Sequence, residues 1–149
     1  MGHADASAED IEIAEAAFAD APSERPGFFQ HWDGIRLAGF RGSCAVLLRQ
    51  PSEATAVLGD VARNTPDTLV GPYTAVLSDL AAGHAQDGDV DRACSLLHEV
   101  LTVAAKTRTP ERANRVRRTV NNRLHTWAES PQVRQLEERL RQVISEGRH

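Results

Sequence analysis

The chain has 149 residues, a formal net charge of -4 at pH 7 and 41% hydrophobic residues, values that are ordinary for one globular domain. No stretch approaches the roughly 18 apolar residues of a membrane span, and no basic segment followed by an apolar one marks a signal peptide. These features predict one cytoplasmic domain at 7–149, preceded at 1–6 by a disordered start or a cloning remnant. Cys44 and Cys94 are too few for a disulfide framework and predict buried free thiols.

Apolar residues recur at helical spacing along most of the chain, and no run alternates as a strand would. Ser7 suits the N-cap of a first helix, in which Ile11, Ala14 and Phe18 share one face. Proline or Asp-Gly pairs separate the segments that follow. The predicted helices are 8–20, 28–49, 51–64, 71–86, 90–106, 110–127 and a last one opening at 130–131. The fold class is therefore all-α, with about seven helices joined by short turns.

Glycines and acidic residues mark two local features. Gly34, Gly39 and Gly42 lie inside one predicted helix, where glycine costs about 1 kcal/mol against alanine and usually indicates close approach of a second helix. The segment 87–91 places three carboxylates at alternate positions, as at the start of a calcium loop. The later glycine and glutamate of that loop are missing, so a tight turn followed by a helix N-terminus is the favoured interpretation.

Two helix pairs are similar to each other at a spacing of 39 residues. The matching positions are Gly42, Ala45, Ala54, Leu58, Val61 and Pro66 in the first pair and Ala81, His84, Ala93, Leu97, Val100 and Ala105 in the second. Small residues fall where two antiparallel helices would cross, and larger ones where neighbouring pairs would stack. Over about 28–106 the pattern resembles the tetratricopeptide repeat, although the unit is longer than that family's 34 residues. The resemblance implies a short solenoid of stacked antiparallel helix pairs.

A second resemblance extends toward the C-terminus. Two segments carry it: 80–101, and 115–140 with the run Trp-Ala-Glu-Ser-Pro-Gln-Val-Arg-Gln-Leu at 127–136. Both segments are similar to the C-terminal helical region of actinobacterial helix-turn-helix transcriptional regulators of the XRE type. In that family the region follows a DNA-binding domain and is thought to sense a signal or to oligomerise. The resemblance therefore implies a role in transcription regulation, and a homodimer is one expectation from it.

Charge is distributed unevenly. Residues 1–105 carry 6 basic and 16 acidic side chains, whereas residues 106–123 carry 7 basic and 1 acidic. Within the helix at 110–127, Arg112, Arg115 and Arg123 fall in one broad stripe, and Arg117 and Arg118 are expected to point elsewhere. One interpretation is a solvated face that pairs with acidic helices of the same molecule. The other is a site for an anionic partner, because guanidinium groups match carboxylates and phosphates.

The leading functional prediction is a non-catalytic module in a regulatory role that binds a protein or peptide, with an acidic one among the candidates. Stacked helix pairs present a concave surface that suits such a ligand. Its predicted polar lining is Asn114, Arg115, Arg118, Asn121 and Asn122. Direct nucleic-acid binding is disfavoured, since the rest of the chain is acidic and no aromatic residue is interleaved with the arginines.

Two alternatives remain open: a dimerisation or ligand-sensing domain of a transcriptional regulator, and a small-molecule-binding protein or enzyme with an enclosed pocket. No cofactor, metal site or catalytic residue is predicted. His84 and His98 are expected to be polar groups beside the core, and the serines and cysteines lack a nucleophile motif. Phe28, Phe29, Trp32 and Tyr73 form the main aromatic group, with core packing favoured over a peptide-contacting groove.

Overall fold

The computed structural model describes the backbone at residues 27–108 and 110–147, and the side chains of these ranges from Asp33 onward. The helix predicted at 8–20 and the side chains of Phe28, Phe29 and Trp32 lie outside the described residues. Within them every regular element is helical, as predicted. The elements are α1 (Gly27–Leu47), α2 (Pro51–Asn64), α3 (Val70–Gln86), α4 (Val90–Thr107), α5 (Pro110–Arg123), a short 3-10 turn (His125–Trp127) and α6 (Pro131–Gly147).

Local signals set the ends of most helices. Pro51 and Pro110 stand at the first position of α2 and α5, where a missing N–H costs nothing. The predicted turn before α4 is confirmed: Gly88 takes φ +83°, and the Asp89 side chain accepts a hydrogen bond from the backbone N–H of Arg92. The three carboxylates at 87–91 thus belong to a turn and a helix cap.

Two predicted helices end early. The segment predicted at 28–49 ends at Leu47, because Arg49 adopts a left-handed conformation with φ 56° and the chain turns there. The segment predicted at 110–127 ends at Arg123. Leu124 has φ -115° and ψ 5°, outside the helical conformation, and its side chain is fully buried.

Contacts between the described helices extend beyond neighbours in the chain. Helices adjacent in the chain contact each other throughout, and α1 contacts α3, α3 contacts α5, and α4 contacts α6. The odd-numbered helices α1, α3 and α5 therefore form one row. None of the described helices is both long and apolar enough to cross a membrane.

α3 lies at the centre and contributes to two hydrophobic clusters. Leu77 and Ala81 belong to the cluster with α4, α5 and α6, whereas Val76 and Leu80 belong to the one with α1 and α2. Its buried hydroxyls need partners, and Ser78 donates to the carbonyl of Thr74 at 2.9 Å. Because both sides are covered, α3 is buried on more than one face.

Burial follows the 39-residue repeat and extends it to a third helix pair. Leu58, Leu97 and Leu136 stand 39 residues apart and each is at most 1% exposed. Gly42, Ala81 and Val120 have the same spacing and are also buried. These two repeat positions are therefore buried in all three helix pairs.

Close approach of α1 and α2 occurs at only one of the three predicted glycines. A Cβ at Gly42 would lie 2.4 Å from Leu58 Cγ and Cδ2, so no side chain fits there without a shift. At Gly39 the nearest atom would be Val61 Cγ1 at 3.9 Å, an ordinary contact, and at Gly34 nothing lies within 4 Å. The prediction is confirmed for Gly42 and wrong for Gly34 and Gly39.

Candidate functional site

The five predicted lining residues all lie on the exposed side of α5, but the structure brings only three together. Arg115, Arg118 and Asn122 line one groove shared with α1 and α3. Asn114 instead lines a cavity between α4, α5 and α6, and Asn121 is exposed outside the groove. Of the predicted lining residues, the structure therefore places Arg115, Arg118 and Asn122 along one groove and leaves Asn114 and Asn121 outside it.

We call the shared groove the basic groove; its volume is about 370 Å³. Three helices of the odd-numbered row supply its walls. The lining residues are Ser43, Val46, Leu47, Ser78, Asp79, Ala82, Arg115, Arg118, Thr119, Asn122 and Arg123. It is open and elongated in character, since its walls come from helices that lie side by side.

The position of the arginines follows from the buried side of α5. Ala113, Val116 and Val120 are buried against the core, which turns positions 115, 118 and 122 toward the flank facing α1 and α3. The predicted stripe needs one correction. Arg118 shares the groove with Arg115 and Arg123, whereas Arg112 does not line it.

The arginines of the basic groove form no ion pair with another described residue. Within the described ranges, Arg115, Arg118 and Arg123 make no side-chain hydrogen bond or ion pair; the ion pairs found there involve Arg41, Arg63 and Arg134. The alternative in which the basic helix pairs with acidic helices of the same molecule is therefore not seen in this part of the chain. Unpaired guanidinium groups that converge from one helix favour an anionic ligand.

One carboxylate, Asp79, also lines the basic groove. Its Oδ2 accepts a hydrogen bond from Ser43 Oγ at 2.7 Å, which joins α3 to α1. Sequence reasoning did not identify either residue. The repeat held a usable signal, because Asp79 stands 39 residues before Arg118 and equivalent positions in neighbouring units face the same side.

A second, apolar groove of about 230 Å³ adjoins the first. Its lining consists of Ile35, Arg36, Gly39, Ser43, Leu58, Val61, Thr65, Pro72, Ala75, Val76 and Asp79. Ser43 and Asp79 line both grooves, so the two meet at this hydrogen-bonded pair. Phe40 and Leu47 of α1 are exposed, at 46% and 73%, and Leu47 extends the apolar surface into the basic groove.

A third cavity, of about 570 Å³, lies between the ends of α4, α5 and α6. Arg108 and Arg117 line it together with Glu146, and the apolar side chains include Val143 and Ile144. It is larger than the basic groove. However, its lining has two arginines and one glutamate, whereas the basic groove has three arginines and one aspartate, so we regard the basic groove as the better candidate.

The two histidines considered in the sequence, His84 and His98, lie beside the hydrophobic core. Arg139 Nη1 lies 3.1 Å from His98 Nδ1, which accepts from the guanidinium, and the same arginine donates to Thr102 Oγ1 at 2.6 Å. Burial, and then Arg139, lower the pKa of His98. Burial, followed by Arg92, lowers the pKa of His84. Both histidines are half-buried beside the core, as predicted.

Both cysteines are free and buried, as predicted. Burial, and then the charge of Asp91, raise the pKa of Cys94 to about 11, so its thiol stays protonated and poorly nucleophilic at neutral pH. Among the residues placed by the structure, no three histidine, cysteine or acidic side chains are grouped to hold a metal ion. Tyr73 is half-buried and donates to Glu99 Oε1 at 2.6 Å, a contact between α3 and α4.

No family model, curated protein or solved structure matches this chain significantly. Function is therefore argued from the geometry of the basic groove and its apolar neighbour.

Proposed function

We propose that this chain is a non-catalytic protein-binding module that holds an acidic segment of a partner in the basic groove. The observation that carries the proposal is the set of three unpaired arginines, Arg115, Arg118 and Arg123, on one wall of a groove built by three helices. Ligand carboxylates would replace water around guanidinium groups that have no partner inside the described molecule, and such charge-assisted bonds are short and strong.

We also propose that the helix pairs stack as in a short tetratricopeptide-like solenoid. The 39-residue repeat of buried positions supports this, and so do the contacts of α1 with α3 and of α3 with α5. In stacked helix pairs one row of helices faces the concave side, which suits an extended segment of a partner. The basic groove lies along such a row.

The proposed role is regulatory, as expected from the resemblance of 80–101 and 115–140 to transcriptional regulators. The predicted dimerisation or sensing domain of a transcriptional regulator is compatible with the same groove. Sedimentation velocity at increasing protein concentration separates the two: a dimer that excludes acidic peptides would favour self-association, and a monomer that binds them favours a partner protein.

The decisive experiment is selection of displayed random peptides on the wild-type protein and on two charge-reversal variants. We expect wild type to enrich peptides rich in aspartate and glutamate, and R115E/R118E to lose them. The matched control is R92E/R141E, which reverses two exposed arginines that do not line the groove; it should select the same acidic peptides as wild type.

Affinities measured by fluorescence anisotropy should weaken as salt is raised, because exposed charges are screened within about 8 Å at physiological ionic strength. Circular dichroism must show both variants to be folded. Enrichment of acidic peptides that is equal on wild type and R115E/R118E would show that the arginines are not the binding site.

A further inference from the structure

The apolar groove and the basic groove form one continuous surface along α1 and α3. On α1 the lining passes from Ile35 and Gly39 at the apolar end to Val46 and Leu47 at the basic end. On α3 it passes from Ala75 to Ala82 in the same chain direction. A ligand that follows the groove therefore meets both regions, in an order that the protein fixes.

Charge also has a fixed order along this surface. Three unpaired arginines stand at one end, and the Asp79 carboxylate stands at the junction, where Ser43 holds it. Beyond the junction the lining is mainly aliphatic, with Arg36 as its only cationic side chain. A ligand carboxylate is attracted at the arginines and repelled beside Asp79, because like charges in close contact are unfavourable.

The distance between the apolar end and the basic end of this surface sets how far apart on a ligand the groups that bind at the two ends must be. Gly39 and Val46 are seven residues apart on α1, which corresponds to about 10 Å along a helix axis. An extended chain covers that distance in about three residues. The apolar groove, at about 230 Å³, is several times the roughly 30 Å³ share of one water molecule, so it holds a side chain of several carbon atoms.

We infer that the ligand is a two-part segment: a large apolar residue in the apolar groove and acidic residues about three positions away at the arginines, with no carboxylate between them. This inference rests on the proposed function of the basic groove and specifies its partner. The apolar residue of the ligand contributes affinity because its side chain is removed from water. The arginines and Asp79 together determine where along the ligand carboxylates can lie.

The test uses synthetic labelled peptides with one leucine and two glutamates in a serine-glycine background. The spacing varies from one to six residues in both chain directions, and binding to the full chain is measured by fluorescence anisotropy. We expect the tightest binding near a spacing of three. Replacing the leucine by serine should weaken binding at least about tenfold, as expected for loss of one buried aliphatic side chain.

Two variants locate the parts. A75L places a larger side chain in the apolar groove and should reduce affinity for the leucine peptide to that of the serine peptide. Its control, A56L, makes the same change at an exposed position of α2 and should leave affinity unchanged. A peptide with a glutamate midway between the two parts should bind wild type weakly and D79N more tightly.

The outcomes separate this inference from the proposed function. If no acidic peptide binds wild type, or if R115E/R118E binds as wild type does, both are wrong. If acidic peptides bind through the arginines but leucine spacing, A75L and D79N have no effect, the basic groove is a binding site and the two-part ligand is wrong.

Discussion

The contact between Gly42 and Leu58 offers a quantitative test of how closely α1 and α2 pack. In G42A the new Cβ would lie 2.4 Å from Leu58 Cγ and Cδ2 and 3.3 Å from Cδ1. Leu58 is 1% exposed and belongs to the cluster formed by α1, α2 and α3. The clash involves the branch point of a buried side chain, so it cannot be relieved by rotation of a methyl group alone.

The expected magnitude comes from two opposing effects. Overpacking a close-packed core costs about 1–3 kcal/mol, whereas replacing a helical glycine by alanine gains about 1 kcal/mol. Since the clash is severe, we expect G42A to lower the free energy of unfolding by about 1–2 kcal/mol. G59A is the matched control, because its Cβ would meet only Arg63 Nη1 at 3.6 Å; it should stabilise by about 1 kcal/mol.

A double-mutant cycle identifies Leu58 as the cause. L58A alone should cost about 2–5 kcal/mol through the cavity it leaves, and G42A/L58A should cost less than the sum by about 1–3 kcal/mol. Urea unfolding followed by far-ultraviolet circular dichroism gives all four free energies. A G42A protein as stable as G59A, or a cycle additive within about 0.5 kcal/mol, would refute the reasoning.

Two further predictions concern the backbone and pH. Arg49 and Arg108 have φ 56° and 50°, a left-handed conformation that costs an L-residue about 1–2 kcal/mol but costs glycine little. R49G and R108G should therefore each raise the urea concentration at the midpoint of unfolding. A lowered midpoint would contradict this. The lowered pKa of His98 means that the unfolded chain binds its proton at a higher pH than the folded chain. The contribution of neutral His98 to the free energy of unfolding is complete above the unfolded pKa of about 6.5 and is lost as the pH falls below it. H98Q should flatten this part of the plot of stability against pH. An unchanged slope would show that His98 is not the source of the pH dependence.

The sequence by itself determined the helices that the structure describes. Helical periodicity and the local signals of proline and Asp-Gly located α2 to α6, because those signals act within a few residues. The 39-residue repeat also predicted burial correctly: Ala54 and Ala93 are both fully buried, as are Leu58 and Leu97 to within 1%. Two predicted helices ended early, at Leu47 and Arg123; the chain turns at Arg49 after the first, and Leu124 is buried after the second.

Only the tertiary structure decided which arginines line the basic groove. Arg112, Arg115 and Arg118 are equally basic in sequence, and the angular position on one helix does not reveal what stands opposite. Arg118 lines the groove because α1 and α3 provide the facing wall, and Asp79 enters it through contact with Ser43 of another helix. Short-range periodicity fixes the faces of a single helix. The grooves lie between helices brought together by buried residues far apart in the chain, so their shape and charge order depend on how those helices pack.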